Sequence, residues 1–198
     1  MPQSEKQSLS SKGVRNQVVP MATFLCTKIR SHFARADFCV LNSGCLRLER
    51  DFSGDEYFTA EHLFSMFFFD TELVVREIFG GDIRRFLLSS RERERWGTGG
   101  FLQTCDGLSN SEQIDSLLDG RQYRVVLLAK EWEDKLDHIG GLDRMVDGSS
   151  VYDRSKVPAS EFQCAKDVLL QIARKEEMDI EGLDDAMRLG LCTSRALS

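Results

Sequence analysis

The chain has 198 residues, of which 41% are hydrophobic and 29% charged, with a formal net charge of −6. This size and composition are those of a soluble globular protein with enough apolar surface for a good core. The acidic balance argues against a general nucleic-acid binder, which usually carries a basic face. No apolar run approaches the roughly 18–20 residues that span a bilayer.

The N-terminal segment is polar and lacks the apolar stretch of a signal peptide, so a cytoplasmic location is the default expectation. Residues 1–13 are predicted to be disordered because they offer little to bury. The six cysteines are scattered without a C-x-x-C pair. This argues against a zinc knuckle and indicates reduced thiols.

In the first half of the chain, the predicted elements alternate between helix and strand. A helix is predicted over 22–34, where apolar residues recur every four positions, and a strand follows over 37–41. Thr59 is predicted to cap a second helix. A strand over 72–78 then precedes a third helix that opens at Gly80.

The second half continues with a short strand and turn in GGFLQTCDGLS and a longer strand over 122–132. In the tail, Ser160 and Gln163 are predicted to form the capping box of an amphipathic helix over 159–176. A shorter helix is predicted around 184–189.

The order of these elements predicts an α/β (α+β) protein, in which a small mixed sheet is flanked by helices and followed by a C-terminal helical extension. The predicted division is a disordered N-terminus over 1–13, a domain over 14–150 and a helical tail over 151–198.

The turn after the first strand combines three features of an anion-binding site: Asn42, Gly44 and Arg47. A turn just past the carboxyl end of a sheet strand is a common ligand site in α/β folds. Glycine lets the backbone approach a ligand, an asparagine amide both donates and accepts, and arginine holds phosphate through two parallel hydrogen bonds. On these residues alone, a surface turn with solvated arginines remains the alternative.

Several motifs in order resemble the C-terminal domain of the 5′-nucleotidase/UDP-sugar hydrolase family, over roughly residues 14–145. Asn42, Gly44 and Arg47 match its N-x-G-x-x-R motif, and YFTAEHLFSMF resembles its T-x-x-D/H-L helix. ELVVREIFGGDI resembles the next strand and helix, and GGFLQTCDGLS the later G-x-F-x-Q-x-x-G segment.

The resemblance implies the nucleotide-recognition half of a two-domain hydrolase. It implies that Asn42 and Arg47 contact phosphate or ribose at the Gly44 turn, that Phe69 stacks on the base and that Arg15 is a further phosphate contact. Phe69 ends a run of three phenylalanines, so packing in the core is its alternative role. Trp132 and Asp143 are weaker matches to a second stacking ring and a loop aspartate.

No catalytic residue is assigned to this chain. The metal-binding motifs of the family do not occur in the sequence, and its three histidines lack neighbours that would act as ligands. We therefore expect no cofactor here and no hydrolysis by this chain alone. A divalent metal pair is expected only in a separate catalytic domain, and whether the chain is part of an enzyme stays open.

Two functional hypotheses follow. The first is the substrate-binding domain of a 5′-nucleotidase-like hydrolase in nucleotide catabolism, with a nucleotide or nucleoside phosphate as ligand and a metallophosphatase domain as possible partner. The second is a non-enzymatic module for nucleotide sensing or protein interaction. The second is favoured by Ala22, Thr23 and Thr27, which stand where the family has G-N-L and an aspartate.

Overall fold

The computed structural model describes residues 9–47, 49–52, 59–67, 71–92, 99–129 and 159–175. The helices within them are α1 (Pro20–His32), α2 (Ala60–Met66), α3 (Gly80–Ser90), α4 (Ser111–Asp115) and α5 (Ala165–Lys175). The strands are β1 (Leu9–Ser10), β2 (Phe38–Asn42), β3 (Asp51–Phe52), β4 (Glu72–Phe79), β5 (Leu102–Thr104), β6 (Gln122–Leu128) and β7 (Gln163–Cys164).

Five strands form one mixed sheet in the order β5-β2-β6-β4-β7. β6 runs parallel to β2 and antiparallel to β4, while β5 and β7 are antiparallel to their neighbours. β6 lies in the centre, and the side chains from Val125 to Leu128 are all buried, as expected for a strand covered on both faces. The mixed α/β fold that the sequence predicts is confirmed.

Helix α1 covers part of this sheet and leads into β2. It begins at Pro20, whose ring suits the first helical position, and its buried side chains include Met21, Leu25 and Ile29. It packs against β2, β5 and α5. The helix predicted over 22–34 is confirmed with its ends shifted by two residues, because Phe33 already has an extended backbone.

Residues 9–13 belong to the fold, and the prediction of disorder was wrong for them. β1 pairs antiparallel with β3. Ser11 extends this pairing with its side chain, because its Oγ accepts from Arg50 N at 2.9 Å and donates to Arg50 O at 3.0 Å. Ser11 is 2% exposed, so a polar residue is buried here through hydrogen bonds that composition does not reveal.

The predicted capping box of Ser160 and Gln163 was also wrong. Gln163 lies in β7, which pairs with the start of β4, and α5 begins two residues later at Ala165. The start of α5 is fastened to the segment before β4 through its backbone, since Ala165 N donates to Thr71 O at 2.8 Å.

The described part of the tail shares the core of the domain. α5 packs against α1, and its apolar stripe, including Val168 and Leu170, is buried in the same cluster as the sheet. The predicted boundary at residue 150 and the predicted helix around 184–189 lie outside the described residues. No helix among the described residues is long and apolar enough to cross a bilayer.

Candidate functional site

The strand directions bring four chain segments to one end of the sheet. β2 and β6 are parallel and finish there, whereas β4 and β5 are antiparallel to them and begin there. The backbone joins these segments, since Ala129 N, just after β6, donates to Glu72 O at 2.7 Å. We call this the carboxyl end of the sheet, and it is the end at which α/β sheets commonly bind ligands.

Asn42 is the last residue of β2 and lies at this carboxyl end. Its Oδ1 accepts a hydrogen bond of 2.6 Å from Gly44 N and so caps the 3₁₀ turn Ser43–Cys45. A backbone N–H can only donate, so this contact assigns the amide oxygen to the turn. Asn42 is 4% exposed. Its amide oxygen therefore has a structural role in this turn.

Gly44 sits where two backbone segments touch. Its N–H also points to Gly99 O at 3.2 Å, and Ser43 N donates to Phe101 O at 2.8 Å. A Cβ at Gly44 would lie 2.9 Å from Asn42 Oδ1, closer than such atoms approach in practice. Gly99 has a φ of +83°, a conformation that glycine adopts without strain. The turn after β2 is thus fixed against the segment that enters β5.

Arg47 follows this turn and has an exposed side chain. Its backbone N donates to Met66 O at 2.9 Å, at the end of α2. Met66 precedes Phe69 by three residues, so the Arg47 backbone is bonded to the segment that leads to Phe69. Phe69 itself lies outside the described residues, and so do Trp132 and Asp143. Phe67, the first of the three phenylalanines, is fully buried in the core.

Helix α2 begins with the cap that the sequence predicts at Thr59. Thr59 Oγ1 accepts from His62 N, and His62 Nδ1 accepts from Thr59 N, both at 3.2 Å. The imidazole of His62 also packs edge-on against the Phe52 ring, with ring centroids 5.2 Å apart. These contacts tie α2 to β3, and the Arg47 backbone is in turn bonded to the end of α2.

Gln103 is a buried polar residue that the functional predictions missed. It lies on β5 directly opposite Leu41 and is fully buried. Its side chain hydrogen-bonds the backbone of the loop before α1, the loop that carries Arg15. The sequence signal is an amide that follows the apolar pair Phe101-Leu102, together with its place in the family-like segment.

The replaced family positions on α1 do not prevent this helix from docking. Thr27 Oγ1 accepts from Asp106 N at 3.1 Å, and Arg30 forms an ion pair of 3.0 Å with the Asp106 carboxylate. Ala22 is fully buried. Helix α1 is therefore held to the turn after β5 without the asparagine and aspartate that the family pattern has.

The described residues do not fit a resident metal pair. They contain no group of three or more His, Cys, Asp or Glu side chains arranged to hold a metal ion. The His62 Nδ1 lone pair is used by the α2 cap. Burial raises the pKa of the Cys26, Cys39 and Cys105 thiols, which disfavours the thiolate form that binds metals.

A shallow hollow of about 780 Å³ lies at the opposite end of the sheet, beside Phe79, Asp82 and Asp119. Arg84 lines it, but its guanidinium is used by the fold, donating to Asp119 Oδ1 at 2.6 Å and to Ile114 O at 3.4 Å. Of the predicted binding residues that the structure describes, Arg15, Asn42, Gly44 and Arg47, none lines this hollow.

Comparison with known proteins identifies the fold. Residues 2–126 match the family model described as 5′-nucleotidase, C-terminal domain. No curated protein matches the chain. The match confirms the resemblance stated from the motifs.

Three solved structures are similar to parts of the chain. The NAD nucleotidase of Haemophilus influenzae has 14% identity and a TM-score of 0.56, covering 85% of this chain and 34% of that one. A 5′-nucleotidase precursor from Thermus thermophilus has 18% identity and a TM-score of 0.46, covering 62% and 28%. The sulfate thiohydrolase SoxB of the same organism, in complex with glycerol, has 14% identity and a TM-score of 0.45, covering 75% and 28%.

This chain thus spans at most 34% of the length of these proteins. At 14% identity, the similarity to the Haemophilus influenzae protein shows a shared fold.

Proposed function

Because the chain belongs to the 5′-nucleotidase C-terminal domain family, we propose that it is the nucleotide-binding domain of a 5′-nucleotidase-like hydrolase. Its ligand is a nucleotide or another nucleoside phosphate, and its biological context is nucleotide catabolism. In this proposal, bond cleavage belongs to a separate metallophosphatase domain, as the resemblance to the family implies.

The convergence of segments at the carboxyl end of the sheet supports this proposal most directly. The hydrogen bond from Gly44 to Asn42 closes the Asn42 turn. The hydrogen bond from Arg47 to Met66 joins the Arg47 backbone to the end of α2, three residues before Phe69 in the sequence. The loop that carries Arg15 is fastened to β5, next to β2. The segments that carry Asn42, Gly44 and Arg47, and the loop that carries Arg15, are thus tied to the neighbouring strands β2 and β5 or to the end of α2, which supports the proposal.

Each residue has a defined part in this proposal. The Asn42 amide nitrogen donates to a phosphate or ribose oxygen, because its oxygen is held by Gly44 N. Gly44 keeps the turn compact, while Arg47 and Arg15 bring positive charge to a chain whose net charge is −6. Phe69 stacks on the base, an interaction worth about 1–3 kcal/mol per base in nucleic-acid binders.

The test is calorimetric titration with AMP, with adenosine as the uncharged probe. Asn42→Asp keeps an oxygen for Gly44 N but replaces the amide nitrogen with a negatively charged oxygen. We expect it to fold and to bind AMP at least tenfold more weakly, since a hydrogen bond to a charged group contributes about 1.5–3 kcal/mol. Arg47→Ala should weaken AMP binding to a similar degree.

Two variants serve as matched controls. Asn110 caps α4 as Asn42 caps its turn, with Oδ1 3.0 Å from Gln113 N, so Asn110→Asp makes the same chemical change away from the site. Arg121→Ala removes an exposed arginine from the opposite end of the sheet, where it stacks on Tyr123. Both should bind AMP like the unaltered chain. If millimolar AMP, ADP and UDP-glucose all fail to bind or to raise Tm, the proposal is wrong.

A further inference from the structure

We propose that Gln103 is a positioning residue that sets the place of Arg15 against the phosphate of the bound nucleotide. This inference rests on the proposed function and adds to it a residue that makes no ligand contact of its own. A buried side chain on β5 thus has a role in binding, whereas the sequence motif that contains it had indicated only a resemblance to the family.

Every polar atom of the Gln103 side chain is engaged with the loop before α1. Its Nε2 donates to Val14 O at 2.6 Å and to Gln17 O at 2.7 Å, and its Oε1 accepts from Val19 N at 3.1 Å. Gln103 is fully buried and Val14 is too. One carboxamide therefore satisfies three backbone groups that would otherwise lack partners inside the protein.

These hydrogen bonds fall on both sides of Arg15. Val14 O lies just before it and Gln17 O two residues after it, so its backbone is held at two points. The loop is also closed on itself, because Asn16 N and Gln17 N both donate to Gly13 O, at 2.9 and 3.1 Å. With its backbone fixed in this way, Arg15 starts from one defined position, which lowers the entropy lost when a ligand binds.

The strand register places this clamp next to the candidate turn. Gln103 is paired with Leu41, and the next pair along the ladder is Asn42 with Leu102. The clamp that holds the Arg15 loop and the turn that presents the Asn42 amide thus stand one residue apart on neighbouring strands. In this proposal, the loop that carries Arg15 is fastened to β5 beside the end of β2, and Arg15 and Asn42 serve the same ligand.

The experiment is a double-mutant cycle in which AMP affinity is measured by calorimetry. Gln103→Met keeps the length of the side chain, introduces no charge and removes all three hydrogen bonds. Alone, it should weaken AMP binding about tenfold, the equivalent of 1.4 kcal/mol. In an Arg15→Ala background it should cause no further loss, because the two residues act as one unit. Adenosine binding should be the same in all four proteins.

Two further variants separate positioning from stability. Thr104→Val changes the next residue on β5, which is also fully buried, and removes its 2.8 Å hydrogen bond to Leu108 O. It should leave AMP binding within twofold of that of the unaltered chain. If Gln103→Met does not fold, Gln103→Glu replaces it in the cycle, because it keeps an acceptor for Val19 N.

The possible outcomes are distinct. Unchanged AMP binding by the Gln103 variant, an undiminished loss in the Arg15→Ala background or an equal loss of adenosine binding would each overturn the positioning role while the proposed function stands. If the unaltered chain does not bind AMP, ADP or UDP-glucose, the proposed function fails and this role fails with it.

Discussion

The hydrogen bond from Gly44 N to Asn42 Oδ1 decides how Asn42 can take part in binding. From the sequence, an asparagine in this turn offers both a donor and an acceptor. In the structure the amide oxygen caps the turn, so the proposed binding role is assigned to the amide nitrogen. The residue type could therefore be predicted from the sequence. Which of its two polar atoms bonds to the turn depends on the fold of the following two residues.

Gly44→Ala should destabilise the protein because the added Cβ would lie 2.9 Å from Asn42 Oδ1 and 3.5 Å from Gly99 O. The turn has backbone on one side and its own cap on the other, so we expect a loss of about 1–3 kcal/mol in the free energy of unfolding. Urea denaturation followed by circular dichroism measures this loss.

Gly120→Ala is the control for that experiment, since no atom lies within 4 Å of a Cβ built there. It should change the free energy of unfolding by no more than about 0.5 kcal/mol. Equal effects of the two substitutions would show that the contact between the Gly44 and Gly99 segments is not tight.

At the scale of elements, the apolar pattern predicted α1, β4 and α3 well because these segments are long, and it predicted β2 because its apolar run is unbroken and buried. The start of α5 was mispredicted because pairing with β4 draws Gln163 into a strand. Helix α4 was missed although Asn110 and Gln113 form a capping box. β1 and β3 are two residues each, too short to show any period.

The candidate site, like the elements, could be predicted from the sequence only in part. Asn42, Gly44 and Arg47 stand next to each other in sequence and could be proposed from it. The clamp of Gln103 on the Arg15 loop joins residues 86 and 89 positions apart, and no local pattern encodes such a contact.

The contact between α1 and β2 should be sensitive to alkali. Burial raises the pKa of Cys26 on α1 and of Cys39 and Cys105 beside it. The contribution of these buried thiols to the free energy of unfolding is therefore fully present below the pKa of an unfolded thiol, about 8.5. This contribution falls as the pH rises further, because unfolding then releases protons. The fall is at most about 1.4 kcal/mol per pH unit for each thiol.

Cys26→Ala removes one of these thiols. Between about pH 7.5 and 9.5, its free energy of unfolding should therefore fall by about 1 kcal/mol less than that of the unaltered chain. Urea titrations under reducing conditions at the two pH values measure the difference. Cys164→Ala, on β7 and outside this cluster, should retain the full fall. Identical pH dependence of all three proteins would contradict the prediction.

At the scale of the whole molecule, the described tail is part of the domain core. The family match ends at residue 126, yet β7 completes one side of the described sheet and α5 packs on α1. The sequence predicts the apolar stripe of α5, but where that stripe packs is a property of the assembled core.

Leu170→Ala should therefore destabilise the entire domain. Leu170 is 3% exposed within the common core, and removing a buried leucine typically costs about 2–5 kcal/mol. The neighbouring Gln171 is exposed, so Gln171→Ala should have an effect within about 0.5 kcal/mol. Thermal and urea unfolding should show one transition at a lower midpoint in Leu170→Ala. A separate early transition, with the rest unchanged, would show that the tail unfolds as an independent unit.

The position of β6 in the centre of the sheet has a consequence for how the protein is made. In the described sheet, β6 lies between β2 and β4 and pairs with both, and the ribosome produces it some 80 residues after β2. At a synthesis rate of about 5–20 residues per second, β2 spends several seconds without its central neighbour. Because distant pairings of this kind also form slowly, the nascent chain holds exposed apolar strands for that interval and needs protection from aggregation until β6 emerges.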